Sequence, residues 1–279
     1  MKEASTVTWK AISTVWELSV IAELAVAIRL LWQGLGGLYP ALLTASLVFP
    51  IKSVLLMESS HFRAVWKVLV PIDWVFNAWI VFELFSWWTR SYPGIKRFGN
   101  ILLAVLLGAS AGISLLFWPS EWKALDFARE LQTYAYFQRF AAGALLLFLS
   151  GTLFFFRNYP APVPPNVVRA SRIMIGYLLG LTTFDLVWNF AREPIKAYCN
   201  LGIVATTFTA FLAWATFLTA EGQAPVQMKP PTAEEKDRID LINEELLDFM
   251  RRKSSQTDRP LDAKRDTGSD SRKGRAPLG

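Results

Sequence analysis

Seven stretches of the chain are almost continuously hydrophobic, and each is long enough to cross a membrane as a single helix. About 20 apolar residues in a helix span the hydrocarbon core of a bilayer. The stretches cover approximately residues 11–33, 38–58, 65–88, 100–118, 133–156, 168–190 and 198–219. This pattern predicts an all-α integral membrane protein in which residues 1–220 form a seven-transmembrane-helix bundle.

The third stretch is the one around which we expect the others to assemble. It carries Asp73, Asn77 and Glu83, which fall along one side of a helix. Polar side chains inside a membrane span are costly unless they face protein or water. The helix therefore needs neighbours that cover this side.

The first stretch allows two interpretations. Glu17, Glu23 and Arg29 interrupt it without sharing one helical face. It either crosses the membrane within the bundle or lies along the membrane surface. In the second case six spans remain, and both ends of the chain lie on the same side.

Composition and charge exclude several classes of function. The chain is 53% hydrophobic and 19% charged, with a net charge of +6, whereas soluble chains are about 25% charged. The tail beyond Ala220 contains twelve basic and twelve acidic residues, so the excess charge lies in the membrane loops and does not indicate nucleic acid. With one cysteine and one histidine, the sequence predicts no metal site, cofactor or catalytic set.

Charged residues inside the hydrophobic stretches share a common depth. Measured along each helix, five of them lie ~8–12 Å below one membrane surface, and Glu23 is slightly deeper. Together with Asn77, they form a predicted intramembrane polar cluster of Glu17, Glu23, Lys52, Asp73, Asn77, Arg139 and Asp185. The cluster is interpreted either as a pocket for a small charged ligand or a proton, or as structural ion pairs. The pairs would join Lys52 to Asp73 or Glu23, and Arg139 to Asp185.

Two pairs of glycines have the spacing of helix-packing motifs. Gly108 and Gly112 lie in the fourth stretch, and Gly176 and Gly180 lie in the sixth. Residues 108–112 also match G-x-S-x-G, but a hydrolase nucleophile requires a strand-to-helix turn. The G-x-x-x-G spacing therefore predicts close helix contacts rather than a nucleophile.

The chain beyond the bundle divides into three segments. Residues 221–231 form a proline-containing linker, 232–253 an amphipathic helix opened by a capping box, and 254–279 a polar segment predicted to be disordered. The apolar side of the helix needs a companion. We expect this to be a cytoplasmic protein, a second copy of the chain, or membrane lipid.

Three functions remain open for the whole chain. The first is a non-enzymatic sensor or scaffold that combines the charged cluster with a partner-binding tail. The second is a small-solute or proton-coupled transporter that uses Lys52, Asp73, Arg139 and Asp185, and the third is a membrane-lipid enzyme. A retinal protein is excluded because residues 198–219 contain no lysine. The short loops favour a bacterial inner membrane, and the unpaired basic clusters and the polar tail favour an outside N-terminus and a cytoplasmic C-terminus.

Overall fold

A computed structural model of the chain describes residues 2–58, 62–116, 127–158, 162–191, 195–224, 237–238, 240–245 and 247–248. Within these residues the fold is all-helical and contains no strand. The seven long helices are α1 (Lys2–Trp32), α2 (Pro40–Glu58), α3 (Phe62–Trp88), α4 (Pro93–Leu116), α5 (Phe127–Asn158), α6 (Pro165–Phe190) and α7 (Ile195–Phe217). The predicted disordered segment 254–279 and most of the predicted linker lie outside the described residues.

Proline and glycine explain several of the helix boundaries. Pro40, Pro93 and Pro165 begin α2, α4 and α6, where the missing N–H of proline costs nothing. After α1, Gly34 adopts a φ of 68°, a left-handed conformation that glycine accommodates at the end of a helix. These residues set the turns that join the helices at the tail face, the end of the bundle where α7 terminates.

Six helical segments are long and apolar enough to cross a membrane, as expected of a multi-pass membrane protein. They are Lys10–Trp32, Pro40–Met57, Pro93–Gly112, Gln138–Arg157, Pro165–Trp188 and Ile195–Phe217. Helix α3 is not among these six segments, which are confined to the described residues. The outer surface of the described bundle is apolar, as lipid requires. The side chains of Ile21, Ile28, Val75, Leu147 and Phe154 are all more than 60% exposed.

The helices form a ring with α4 outside it. Helix α1 packs between α7 and α2, α3 contacts α2, α5 and α6, and α6 packs between α5 and α7. Helix α4 packs mainly on α5. Helix α3 thus contacts α2 on one side and α5 and α6 on the other.

Helix α1 is part of the bundle rather than a separate surface helix. Ala22, Val26 and Leu30, spaced one turn apart, are buried in the core. Near its C-terminal end, Arg29 donates hydrogen bonds to the backbone carbonyls of Leu218 (3.0 Å) and Thr216 (3.3 Å). These contacts satisfy carbonyls that the end of α7 leaves open.

A polar network fixes the end of α7 to the start of α6 at the tail face. The Asn166 amide donates to the carbonyl of Thr219 at 2.6 Å and accepts from the N–H of Thr219 at 3.3 Å. Arg169 donates to the carbonyl of Phe217 at 3.1 Å. Tyr39 donates to Gln223 at 2.8 Å, and burial together with the nearby Glu83 raises the pKa of Tyr39.

The four glycines of the two predicted motifs differ in how closely a neighbouring helix approaches them. A Cβ at Gly180 would lie 2.5 Å from the Thr206 side chain, so this glycine lets α6 and α7 approach closely. A Cβ at Gly108, Gly112 or Gly176 would meet nothing within 4 Å among the described residues. The prediction that Gly108 and Gly112 mark a close helix contact therefore stays a prediction, since no described neighbour lies beside either glycine. The face of α4 turned towards α5 instead carries Ser110, whose hydroxyl lies 3.3 Å from the carbonyl of Phe140.

The described residues from 237 to 248 are helical, and we refer to them as the tail helix. The Gly94 N–H, in the first turn of α4, donates a 2.7 Å hydrogen bond to the side-chain oxygen of Asn243. A Cβ at Gly94 would lie 2.5 Å from the carbonyl of Asn243 and 3.2 Å from Leu247. The tail helix therefore packs closely against the turn between α3 and α4.

Candidate functional site

The centre of the site is an ion pair between α2 and α3. Lys52 Nζ lies 2.6 Å from both carboxylate oxygens of Asp73. Each residue lies two positions after a proline, Pro50 in α2 and Pro71 in α3. A proline within a helix removes one backbone hydrogen bond and commonly kinks the helix. Both helices are thus interrupted at the level of the ion pair.

A second carboxylate shares the same lysine. Glu23 of α1 is 3% exposed, and the charge of Lys52 attracts it while that of Asp73 repels it. Its Oε1 accepts a 3.2 Å hydrogen bond from Ser19. Its Oε2 has no hydrogen-bond partner among the described residues.

Neutral polar groups of α3, α6 and α7 extend the site. The buried Tyr177 hydroxyl lies within hydrogen-bonding reach of the side chains of Asn77 and Thr207. The same tyrosine lies in the electrostatic field of Asp73 and Glu23. Five helices, α1, α2, α3, α6 and α7, therefore meet around these side chains. We call Glu23, Lys52, Asp73, Asn77, Tyr177 and Thr207 the central cluster.

Aromatic rings close the central cluster towards the tail face. The Phe49 ring lies 5.0 Å from Lys52 Nζ, a distance at which its face attracts the ammonium charge. Phe49 also packs edge-to-face against Phe76 at 5.6 Å and Phe211 at 5.9 Å between ring centroids. Each of these rings lies about one turn closer to the tail face than Lys52, Asp73 or Thr207 of its own helix. The groups next to the ion pair on that side are therefore aromatic.

Asp185 and Arg139 form a separate group. Asp185 is 4% exposed, and Arg139 of α5 supplies the attractive charge that acts on it. Asp185 lies eight residues beyond Tyr177 on α6, or about 12 Å along the helix axis. Cys199 is also buried near this carboxylate. The single predicted layer of charges is thus divided into two groups.

Glu17 belongs to neither group. Its side chain is exposed, and its carboxylate accepts a 3.4 Å hydrogen bond from Ser13 on the same helix. Six residues separate Glu17 from Glu23, which places them about 120° apart around α1. The predicted depth of Glu17 gave no information on this rotation.

Sequence reasoning missed Ser19, Tyr177 and Thr207. Hydroxyl side chains are common in membrane helices and often bond to their own backbone, as Thr207 does to the carbonyl of Ile203 at 3.1 Å. Ser19 lies one turn before Glu23, and this spacing was the only available signal for any of the three. For Tyr177 and Thr207 the neighbours on other helices had to be known.

The central cluster contains more acidic groups than basic groups. One ammonium group faces two carboxyl groups, so full ionisation leaves a net negative charge inside the bundle. Such a charge is costly in a low-dielectric interior. The cluster can hold a proton on one carboxyl group or bind a cation, and either event changes the force on Lys52. No group of three or more His, Cys, Asp or Glu side chains arranged to hold a metal occurs in the described part of the chain.

Comparison with protein-family models, with curated proteins and with solved structures found no match to this chain. No function therefore follows from similarity.

Proposed function

We propose that this protein is a non-enzymatic seven-helix membrane sensor, in which the central cluster is the sensing element and the tail helix is the output. One observation carries the proposal: α3 holds Asp73 and Asn77 of the cluster and ends at the turn on which the tail helix docks. A change at the cluster and the position of the tail helix are thus connected through one helix.

The proposal includes α3 as the seventh membrane span. At one level Asp73 binds Lys52, and at another the N–H of Ala41 donates a 2.6 Å hydrogen bond to Glu83. These two contacts keep α3 beside α2 over about 15 Å, half the hydrocarbon thickness. Val68 and Val75 of α3 are more than 60% exposed, as on the lipid-facing side of a span.

The input would be the ionisation state of the central cluster. Protonation of Glu23 or Asp73, or binding of a cation, removes the excess negative charge around Lys52. The helices carrying the ion pair are interrupted at Pro50 and Pro71, which favours local bending of α2 and α3 at this level. A small adjustment there would move the far end of α3.

The output would be release of the tail helix. Its docked form places Ile242 and Leu247, both half-buried, against the bundle. Release would expose these apolar side chains of the amphipathic segment 232–253 to a cytoplasmic protein or a second copy of the chain. In the described part of the tail helix, Asn243 and Leu247 contact Gly94 at the start of α4.

The test measures the distance between the tail helix and the α3–α4 turn. Spin labels are placed at the exposed positions Ser91 and Glu244 of a Cys199→Ser protein in lipid nanodiscs, and the distance distribution is recorded by pulsed electron resonance. We expect Asp73→Asn to shift the distribution to longer or broader distances than in the parent protein.

Asp185→Asn is the matched control, since it removes a buried carboxylate of the second group that α3 does not carry. We expect it to leave the Ser91–Glu244 distance unchanged. An unchanged distance in Asp73→Asn, with the protein still folded, contradicts the sensor proposal. An equal shift of the distance in Asp73→Asn and Asp185→Asn also contradicts the sensor proposal.

A proton-coupled transporter is the second candidate, because Glu23 has a carboxylate oxygen without a described hydrogen-bond partner inside the bundle. Relay groups in transporters are intramembrane carboxyls of this kind. Liposomes containing the protein and a pH-sensitive dye distinguish the two. A proton flux that Glu23→Gln abolishes supports transport, whereas a tight bilayer supports the sensor.

The finer location also belongs to this proposal. We place the protein in a bacterial inner membrane with its N-terminus outside and the tail in the cytoplasm. The basic α3–α4 turn, with Arg90, Lys96 and Arg97 and no acidic residue, supports a cytoplasmic tail face.

A further inference from the structure

An apolar cavity of about 350 Å³ lies between α3, α4, α5 and the tail helix. Its walls include Phe85 of α3, Phe98 and Leu102 of α4, and Leu147 and Phe155 of α5, and Ile242 of the tail helix lies at one end. The volume falls in the range of small-molecule sites. The central cluster contributes none of its residues, so this is a different site.

The lining admits only an apolar occupant. Apart from glycines, its one member that is not hydrophobic is Thr152, whose hydroxyl already donates to the carbonyl of Phe148 at 2.9 Å. A polar ligand would therefore lose hydrogen bonds to water and gain none here. A hydrocarbon chain makes no hydrogen bonds to water, so it would lose none on entering the cavity.

The shape of the cavity matches a chain that runs along the membrane normal. On α4 the lining extends from Ile95 to Leu106, about 16 Å along the helix axis. Ile95 lies in the first turn of α4, at the level of the α3–α4 turn, and Leu106 lies well inside the span. One end of the cavity is thus at the membrane interface and the other is in the hydrocarbon layer.

The interfacial end of the cavity is basic. Arg90, Lys96 and Arg97 belong to the turn and to the start of α4, and Arg157 directly follows Phe156 of the lining. The sequence contains no acidic residue between positions 84 and 120. Clustered basic residues at this depth attract anionic lipid headgroups.

The tail helix occupies the same end and carries the opposite charge. Its described residues include the exposed acids Asp237, Asp240, Glu244, Glu245 and Asp248 against one base, Arg238. Partial burial and the charge of Asp240 raise the pKa of Tyr92, so Asp240 lies near the turn. Ile242 places an apolar side chain where a lipid chain would enter.

We propose that the cavity binds one acyl chain of an anionic phospholipid, with the headgroup on the basic turn, and that the acidic tail helix competes with this lipid. The lipid and the docked tail use the same two features, an apolar entrance and positive charge. Binding of the lipid therefore favours the undocked tail.

The test uses the full-length protein, delipidated in detergent and then equilibrated with vesicles of equal parts phosphatidylglycerol and phosphatidylcholine. Bound lipid is counted by native mass spectrometry. Gly151→Leu fills the cavity, since a Cβ at Gly151 meets nothing within 4 Å and the residue belongs to the lining. We expect it to weaken phosphatidylglycerol binding about tenfold, because it displaces roughly two buried methylene groups.

Gly108→Leu is the control, because it makes the same change on a face of α4 that is equally open but outside the cavity. It should bind phosphatidylglycerol as the parent protein does. Equal binding by the Gly151 and Gly108 variants, or equal retention of phosphatidylcholine and phosphatidylglycerol, overturns the proposal.

Two surface substitutions test the proposal without altering the core. Lys96→Gln with Arg97→Gln should lower phosphatidylglycerol binding and leave phosphatidylcholine unchanged. Asn243→Ala, which removes the hydrogen bond to Gly94, should increase phosphatidylglycerol binding because the tail competes less well. Weaker lipid binding in Asn243→Ala contradicts the competition and shows that the tail helps to hold the lipid.

Discussion

At the scale of single residues, the central cluster is defined by one cation shared between two acids. Lys52 lies 2.6 Å from both oxygens of Asp73 and also attracts Glu23. The three residues therefore are not equivalent. If Asp73 is neutralised, Lys52 still has Glu23 as a counter-ion, whereas loss of Lys52 leaves two acids together.

This asymmetry predicts different losses of stability. Lys52→Met should lower the free energy of unfolding by ~3–5 kcal/mol, the cost of leaving buried charge unpaired. Asp73→Asn should cost clearly less. Chemical or thermal unfolding in detergent micelles measures both.

A rescue experiment separates charge from packing in the Lys52→Met protein. Adding Glu23→Gln removes one of the two remaining acids and should recover part of the lost stability. If the double variant is less stable than Lys52→Met alone, the shared-cation description of the cluster is incorrect.

At the scale of helices, α6 and α7 approach closely at two glycines, where Gly180 of α6 meets Thr206 and where Gly202 of α7 meets Phe184. The side chain of Thr206 occupies the space that a Cβ at Gly180 would need, whereas the space beside Gly176 is open. Both glycines belong to the same predicted motif. Packing between membrane helices is sensitive to small residues at the contact.

Gly180→Ala should therefore lower stability by about 1–3 kcal/mol through overpacking. Gly176→Ala on the same helix should be neutral or slightly stabilising, since alanine is the better helix former. Parallel unfolding curves of the two variants give the comparison. Equal effects would mean that the α6–α7 contact does not depend on Gly180.

The C-terminal end of α7 is held by side chains of its neighbours rather than by its own sequence. Asn166 makes two hydrogen bonds to the backbone of Thr219, and Arg29 makes two to the last carbonyls. Such carbonyls are otherwise unsatisfied at a helix end. The end of α7 is therefore ordered only when α1, α6 and α7 are packed together.

Asn166→Ala should cost about 2 kcal/mol, because two half-buried backbone groups of Thr219 lose their partner. Asn200→Ala, an exposed asparagine of α7, is the control and should cost far less. Hydrogen exchange followed by mass spectrometry should show faster exchange around Thr219 only in the Asn166 variant. Unaltered exchange there would indicate that other contacts hold this end.

At the scale of the whole molecule, the number of spans fixes which ends share a side. Six helical segments qualify as spans by length and composition, and α3 is the helix whose crossing is inferred from its contacts. If α3 crosses the membrane, the α3–α4 turn lies on the opposite side from the start of α1. Without it, the turn and both ends of the bundle lie together.

Cysteine labelling in a Cys199→Ser protein distinguishes these arrangements. We expect Lys10→Cys to react with a membrane-impermeant reagent on one side of sealed vesicles, and Ser91→Cys and Ala224→Cys to react on the other. Reaction of all three positions from the same side would show that α3 does not cross.

The sequence by itself determined the class of protein and the depth of its charges. Hydrophobic length predicts membrane helices because lipid offers no partners to backbone groups, and the 1.5 Å rise converts residue number into depth. For this reason the levels of Lys52 and Asp73 could be derived before any contact was known. The G-x-x-x-G spacing carried less information, since it does not say whether a neighbouring helix is present.

The tertiary structure alone decided which of these groups meet. Depth along a helix does not fix its rotation or its neighbours, so Glu17 and Glu23 looked alike although only Glu23 faces Lys52. Tyr177 and Thr207 join the site because α6 and α7 close the ring beside α3. The docking of the tail helix at Gly94 depends on residues about 150 positions apart. Contacts of this range arise from packing of the whole bundle, which local sequence patterns do not encode.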